Sequence, residues 1–320
     1  MMSVVEPIHE SYGADHDIVV HAGDCLDLLR QIPDERLHLV VTSPPYNIGK
    51  EYENRLDLDI YLAQQTRIIA ECVRTLSPFG SICWQVGNYV DRGAIIPLDA
   101  VLYPVFARLG LRMRNRIVCH FEHGLHCKNR FSGRYETIVW YTKSDNYLFN
   151  LDPVRVPQKY PGKKHFKGPK TGQYSGNPLG KNPGDVWIIP NVKSNHVEKT
   201  DHPCQFPVEL IERLVLSMTN PGQIVFDPFL GTGTSIIAAV RHGRHGMGAE
   251  MQPRYVALAK ARIQQELAGT LKTRPMDRPV HDPLQSGNRL TESPWNASHR
   301  QLQLLDQSAQ YELTIQDGPQ

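Results

Sequence analysis

Ile224-Val225-Phe226-Asp227-Pro228-Phe229-Leu230-Gly231-Thr232-Gly233-Thr234-Ser235 joins three features in one short stretch. An apolar run ends on an acid, a loop carries two glycines, and Thr234 opens a helical pattern. Strand, Gly-containing turn and helix start make up the unit from which parallel α/β sheets are built. Gly231 and Gly233 let the backbone approach a ligand closely, and the helix N-terminus offers free N–H groups to an anion. Glu250 follows the next expected strand, His245–Gly248, at a distance where an acid grips ribose hydroxyls in nucleotide-binding units. The third glycine of a dinucleotide fingerprint is missing, as is the G-K-[ST] of a phosphate-binding loop. Oxidoreductase and nucleoside-triphosphatase readings therefore lack their signatures.

The same alternation extends outward. Ile18–His21, Leu37–Val41, Ser81–Val86, Ile117–His120 and Glu136–Tyr141 read as strands. Helical spacing marks Cys25–Gln31, Leu58–Leu76 (stopped by Ser77-Pro78-Phe79-Gly80), Val208–Thr219, Thr234–His242 and Tyr255–Leu267. Residues 151 to about 200 lose this periodicity and are rich in Pro, Gly, Lys and Asn. After Ala268 the chain turns polar and Pro-interrupted, which predicts a flexible tail over 268–320 with a weak helix near Gln301–Leu305.

Composition sets the outer limits. The 320 residues are 40% hydrophobic, enough for a sizeable core, which excludes a disordered or fibrous chain. Lys and Arg number 35 against 33 Asp and Glu, so affinity for nucleic acid must come from local charge segregation. The six cysteines form no C-x-x-C pair. Met1–Glu10 shows no leader pattern and no apolar run approaches about 18 residues, so a cytoplasmic protein without a membrane partner is expected.

A second motif, Thr42-Ser43-Pro44-Pro45-Tyr46-Asn47, directly follows the strand Leu37–Val41. Open parallel sheets bind ligands at the carboxyl ends of their strands. Two prolines fix φ, remove two backbone donors and leave a rigid turn that presents carbonyl oxygens. A planar exocyclic amine is a poor nucleophile because its lone pair is delocalised into the ring. The Ser43 hydroxyl and the Pro44 carbonyl are two acceptors for its two N–H groups, and they favour a pyramidal nitrogen able to attack an electrophile. Tyr46 offers a face on which a base can stack.

Together the two motifs resemble those of the amino-directed DNA methyltransferases that use S-adenosylmethionine. The order, T-S-P-P-Y first and D-P-F-x-G-x-G last, is similar to that of the circularly permuted beta class, as found in restriction–modification systems, over residues 17 to 265. Gly23-Asp24, Arg134-Tyr135-Glu136 and His202-Pro203-Cys204-Gln205-Phe206-Pro207 resemble further segments of that family. The resemblance implies a Rossmann-like methyltransferase sheet, mostly parallel, with helices on both faces. Its catalytic half would span 17–150, an irregular basic target-recognition insertion 151–200, and the cofactor half 201–267. It implies Ser43, Pro44, Pro45 and Tyr46 as catalytic residues and Asp227 facing the methionine amino group. Phe229, Gly231, Gly233 and Thr234 would line the cofactor loop, with Glu250 on the ribose and Asp24 on the adenine. Ser at the first position of the tetrapeptide goes in that family with cytosine N4 as target, and N6 of adenine is the alternative. Pocket size would discriminate, through residues such as Tyr52 or the segment around His123.

Charge segregation fits double-stranded DNA as partner. Between Pro153 and Gly184 lie seven basic residues, including Lys159, Lys163, Lys164, Lys167 and Lys170, with no acid and with Tyr160, His165, Phe166 and Tyr174 interleaved. A second basic stretch, Arg108, Arg112, Arg114, Arg116, Lys128, Arg130 and Arg134, is expected to extend that track. Cys119, His120, His123, His126 and Cys127 crowd together but match no common zinc spacing, so no metal is expected. Two other readings remain. One is a protein-glutamine methyltransferase, whose motifs run in the opposite order. The other is a non-catalytic DNA-binding protein, which would have damaged loops. A cognate restriction endonuclease is a partner implied by resemblance alone.

Overall fold

The computed structural model describes residues 7–49, 55–121, 124, 126–193, 195–276 and 278–280. Its chain order is β1 (Ile8–His9), β2 (Ile18–Ala22), α1 (Cys25–Leu29), β3 (Leu37–Thr42), α2 (Leu58–Thr75) and β4 (Leu76–Val86). β5 (Asn88–Asp91), β6 (Ala94–Pro97), α3 (Leu98–Arg108), β7 (Arg112–His120) and β8 (Tyr135–Thr142) follow. The chain continues through β9 (Val186–Ile188), α4 (Val208–Met218), β10 (Ile224–Asp227), α5 (Thr234–Arg241), β11 (His245–Glu250) and α6 (Pro253–Leu267).

One nine-stranded sheet runs in the order β1-β2-β11-β10-β3-β4-β8-β7-β9. Its neighbours are parallel except where β8 lies antiparallel between β4 and β7. The expected mostly parallel α/β sheet is therefore present. Strands β2, β3 and β10 are apolar on both sides because both faces are covered. Val19, Val40 and Phe226 face a core layer with Leu28, Ile69, Cys72 and Phe106 from α1, α2 and α3. Val20, Val41 and Val225 face the opposite layer with Ile211, Leu214, Ile237 and Ala259 from α4, α5 and α6.

β10 continues to β11 on one side, whereas β3 continues to β4 on the other. The order therefore reverses between β10 and β3, the place where open sheets of this kind hold their ligands. The two sequence motifs leave the sheet from these adjacent strands, paired through Val225 with Leu39 and Phe226 with Val40.

Three readings change. Ser77-Pro78-Phe79-Gly80 does end the helix, at Thr75, but the residues bulge within β4: Leu37 pairs with Leu76 and Leu39 already with Ser81. The β5–β6 hairpin, α3 and β9 are additional elements: the two strands of the hairpin and β9 are only three or four residues long, and α3, although Leu98, Leu102, Val105 and Phe106 follow helical spacing, carries Pro104 inside it. The expected flexible tail begins too early. Leu271 packs on the core, Arg274 is buried, and the compact unit runs through Arg278. The rest of that tail from residue 281, with its expected helix near 301–305, lies outside the described residues, as do Tyr52 and His123. No helix among the described residues is long and apolar enough to cross a membrane.

Candidate active site

The carboxyl ends of β2, β3, β10 and β11, with the adjoining end of β4 and start of β8, surround a cavity of about 720 Å³. That lies within the range of roughly 300–1,000 Å³ usual for small-molecule and cofactor sites. Ser43, Pro44, Pro45, Tyr46, Asp24, Phe229, Gly231 and Glu250 all line it. The loop after β3 and the segments around β10 and β11, far apart in the chain, meet around one cavity.

Asp227 joins the two motifs. It is fully buried, and its Oδ1 accepts from Thr42 Oγ1 at 2.6 Å and from the Phe229 amide at 3.0 Å, while Ser235 donates to Oδ2. Burial pushes its carboxyl up to about 6, against the opposing pull of these donors. It therefore sits one layer behind the cavity wall, holding the two loops together. Thr234 is likewise buried and receives Arg262 Nη1 at 3.2 Å. Gly233 adopts φ 78°, and a Cβ there would come within 3.3 Å of Ala259 Cα and 3.2 Å of its Cβ. Neither residue lines the cavity; both serve the packing of α5 against α6. Gly231, also left-handed at φ 53°, does face it, opposite the His202 ring.

Glu250 at the end of β11 accepts from the Gly231 amide at 3.0 Å and from the Gln252 amide at 2.8 Å. Burial raises its carboxyl above the usual range. Asp24 caps α1, accepting from the Leu26 amide at 2.9 Å, and the Gly23 amide donates to Glu250 O at 3.0 Å, which ties β2 to β11. His202 packs edge-on against Tyr255 with centroids 4.4 Å apart. Residues 202–207 form a further wall, with Gln205 fixed by Thr200 Oγ1 and Glu198 O. Phe229 stands edge-on to Trp84. An acid with defined orientation, a glycine whose missing Cβ leaves room, and apolar walls suit a ligand with a ribose and a flat base.

On the other side, Tyr46 lies with its hydroxyl 2.9 Å from Ser43 Oγ and donating to Glu136 Oε2 at 3.1 Å. Gln85 Nε2 donates to the same carboxylate oxygen at 2.6 Å. Desolvation, then the Glu136 charge, raises the Tyr46 phenol well above its usual value. Asn47 completes the turn at φ 59°, a conformation Asn tolerates better than most residues. Its side chain exchanges hydrogen bonds with the backbone of Leu56 at 2.6 and 2.8 Å. Gln85 and Glu136 were not among the expected site residues. Their signal in sequence is faint: a polar residue in each of two strands otherwise apolar around them.

The basic segment folds into short antiparallel turns, with His165 N bonded to Gln173 O and Ser175 N to Lys163 O. Lys159, Lys163, Lys164, Lys167 and Lys170 are exposed, and none pairs with a carboxylate among the described residues. Lys164 lies over the Tyr174 ring and Lys159 over that of Tyr160. β9 then leads the chain into Ile189, Asn191 and Lys193 of the cavity wall. Arg112, Arg114 and Arg116 of the second basic stretch do not extend this surface, whereas Lys128, Arg130 and Arg134 lie between β7 and β8 at the cavity end of the sheet. Arg112 and Arg114 pair with Asp145, and Arg116 pairs with Asp99, at the amino end of β7, across the sheet from the cavity. Among the described residues no three His, Cys, Asp or Glu side chains gather to hold a metal ion. Cys119 is buried in the sheet, and burial pushes its thiol up to about 12.

The family model described as DNA methylase, for N6 and N4 methyltransferases, matches residues 37–261. The chain belongs to this family. Among its relatives, the type II methyltransferase M.BglII of Bacillus subtilis is 53% identical over 253 residues, covering 79% of this chain and 70% of that one. The DNA adenine methyltransferase YhdJ of Escherichia coli is 30% identical over 257 residues, covering 79% and 84%. A Thermus thermophilus DNA modification methylase, TTHA0409, solved with S-adenosyl-L-methionine, is 30% identical with a TM-score of 0.56, covering 78% of this chain and 96% of that one. This DNA methylase is thus an S-adenosylmethionine-dependent enzyme of the restriction–modification type, and the residues around its cavity fit that cofactor.

Proposed function

We propose that the chain is a cytoplasmic, site-specific DNA methyltransferase acting on the exocyclic N4 of cytosine in a base flipped out of double-stranded DNA. The observation that carries this reading is that Ser43 lines the same cavity as Glu250 and Phe229, so that a hydroxyl acceptor and a nucleotide-type pocket open into one space. Glu250 holds the ribose, Asp24 lies on the adenine side, Phe229 and Gly231 line the loop, and Asp227 and Thr234 support it from behind. Bound there, the cofactor supplies a sulfonium methyl, transferred by a displacement that needs positioning and electrostatics. Ser43 Oγ and Pro44 O take the two amine hydrogens, Pro45 stiffens the turn, and Tyr46 stacks on the extruded base. Lys159, Lys163, Lys164, Lys167 and Lys170 contact phosphates, and the surrounding segment reads the sequence. A restriction endonuclease cleaving the same site is the expected companion.

A second reading, N6 of adenine, is favoured by the adenine methyltransferase among the relatives. Digesting DNA methylated by this enzyme to nucleosides and weighing them decides between the two. N4-methylcytosine supports the proposal, N6-methyladenine alone replaces it with the second reading, and methylated protein with unmodified DNA overturns both.

A further inference from the structure

Three side chains, two from the loop after β3 and one from β8, form a continuous line away from the expected position of the amine. Ser43 Oγ is 2.9 Å from Tyr46 Oη, and Tyr46 donates to Glu136 Oε2 at 3.1 Å. A carboxylate oxygen only accepts, so the phenol proton is committed to Glu136. The phenol oxygen is then free to receive the Ser43 proton, which leaves Ser43 Oγ with its lone pairs toward the cavity. Gln85, buried beside them, donates to the same Oε2 at 2.6 Å, which fixes its amide and leaves Gln85 Oε1 buried in the cavity wall without a hydrogen-bond partner among the described residues. Cys119 stands opposite Glu136 across the β7–β8 ladder, and its thiol is neutral. No cation within this set competes for the carboxylate.

We propose that Glu136 is the terminal acceptor of a proton relay running from the target amine through Ser43 and Tyr46, with Gln85 as its positioning residue. The inference rests on the exocyclic-amine reading above and holds for either base. As the nitrogen attacks, the bond from nitrogen to methyl forms and the bond from methyl to sulfur breaks. The nitrogen then carries one proton too many. That proton passes to Ser43 Oγ as the Ser43 proton moves to Tyr46 and the Tyr46 proton moves to Glu136. The products are a neutral methylated amine, a neutral thioether and a neutral carboxylic acid. The positive sulfonium and the negative carboxylate disappear together, so no charge is stranded in a closed site.

The test uses the full-length protein, radiolabelled S-adenosylmethionine and unmodified bacterial DNA. Single-turnover methyl transfer is compared among wild type, Tyr46→Phe, Glu136→Gln and the double variant, with cofactor affinity measured by calorimetry and DNA affinity by filter binding. Tyr46→Phe keeps the stacking face and removes only the hydroxyl. The relay predicts that each single variant slows transfer by about a hundred-fold, as expected for a missing proton acceptor. Both affinities should stay within about two-fold, and the double variant should be no slower than the slower single. A rate for Tyr46→Phe within about three-fold of wild type overturns the relay, as does a double variant slowed by the product of the two effects. Should Glu136→Gln fail to bind cofactor, Tyr46→Phe decides alone. Wild type that transfers no methyl to DNA overturns the proposed function itself, and the relay with it.

Discussion

Asp227 shows what one buried side chain can do for a site it does not line. Its three donors come from β3, from the loop and from α5, so it holds the two halves of the cavity in register. Asp227→Ala leaves Thr42, Ser235 and the Phe229 amide unsatisfied. Each buried orphan costs roughly 1–3 kcal/mol. The variant should unfold at lower denaturant and bind S-adenosylmethionine much more weakly by calorimetry; unchanged cofactor affinity would overturn its assignment to that site. A pH effect follows as well. Burial raises the Asp227 carboxyl from 3.8 to about 6, so the folded, cofactor-free protein holds a proton that the unfolded chain releases. Stability from this group is full below about pH 4 and is lost as pH rises to about 6, on the order of 3 kcal/mol. Asp227→Asn should remove that part of the slope when denaturation of the cofactor-free protein is compared at the two ends of this window.

Elements place these residues, and two of them are open to direct test. Gly233 sits at the start of α5 with left-handed φ, its Cα hydrogen against Ala259 of α6. Gly233→Ala combines a left-handed backbone cost of about 1–2 kcal/mol with a neighbour that must give way. Thermal unfolding should shift downward by several degrees, and an unshifted transition would refute the packing role. Beyond α6, Arg274 donates to Glu209 of α4, and its amide donates to Glu198 Oε1 at 3.0 Å. Burial, and then the nearby Glu198 charge, push the Glu209 carboxyl up to about 7 even with Arg274 beside it. Arg274→Ala strands Glu209 while leaving the backbone amide to hold Glu198, and should cost about 3–5 kcal/mol; a thermal transition like that of wild type would return this segment to the status of a tail. Sequence alone could not reveal the clasp, because polar, Pro-interrupted chain looks the same whether or not it finds buried partners.

At the scale of the whole molecule, near-neutral net charge conceals a sharp division. Acids neutralise the arginines at the amino end of β7, whereas the lysines of 153–184 stand without them. Changing Lys163, Lys164 and Lys167 together to Gln should weaken DNA binding and flatten its salt dependence, by about 0.9 in log–log slope for each phosphate no longer neutralised. Binding measured across a salt series checks this, and an unchanged slope places the DNA elsewhere.

The sequence by itself made legible the strands, the parallel α/β class and the two loops, because these depend on short-range features: apolar runs, glycines at tight turns and Pro-Pro at a strand end. It also marked the basic segment, since charge is countable without coordinates. Tertiary structure decided which of the marked residues face the cavity and which stand behind it. Asp227, Gly233 and Thr234 look like ligand contacts in the motif, yet they pair with Thr42, Ala259 and Arg262. It also decided the membership of Gln85 and Glu136, which only the antiparallel insertion of β8 beside β4 brings to Tyr46. Cross-strand neighbours of this kind follow from register and strand order, which no local stretch of sequence encodes.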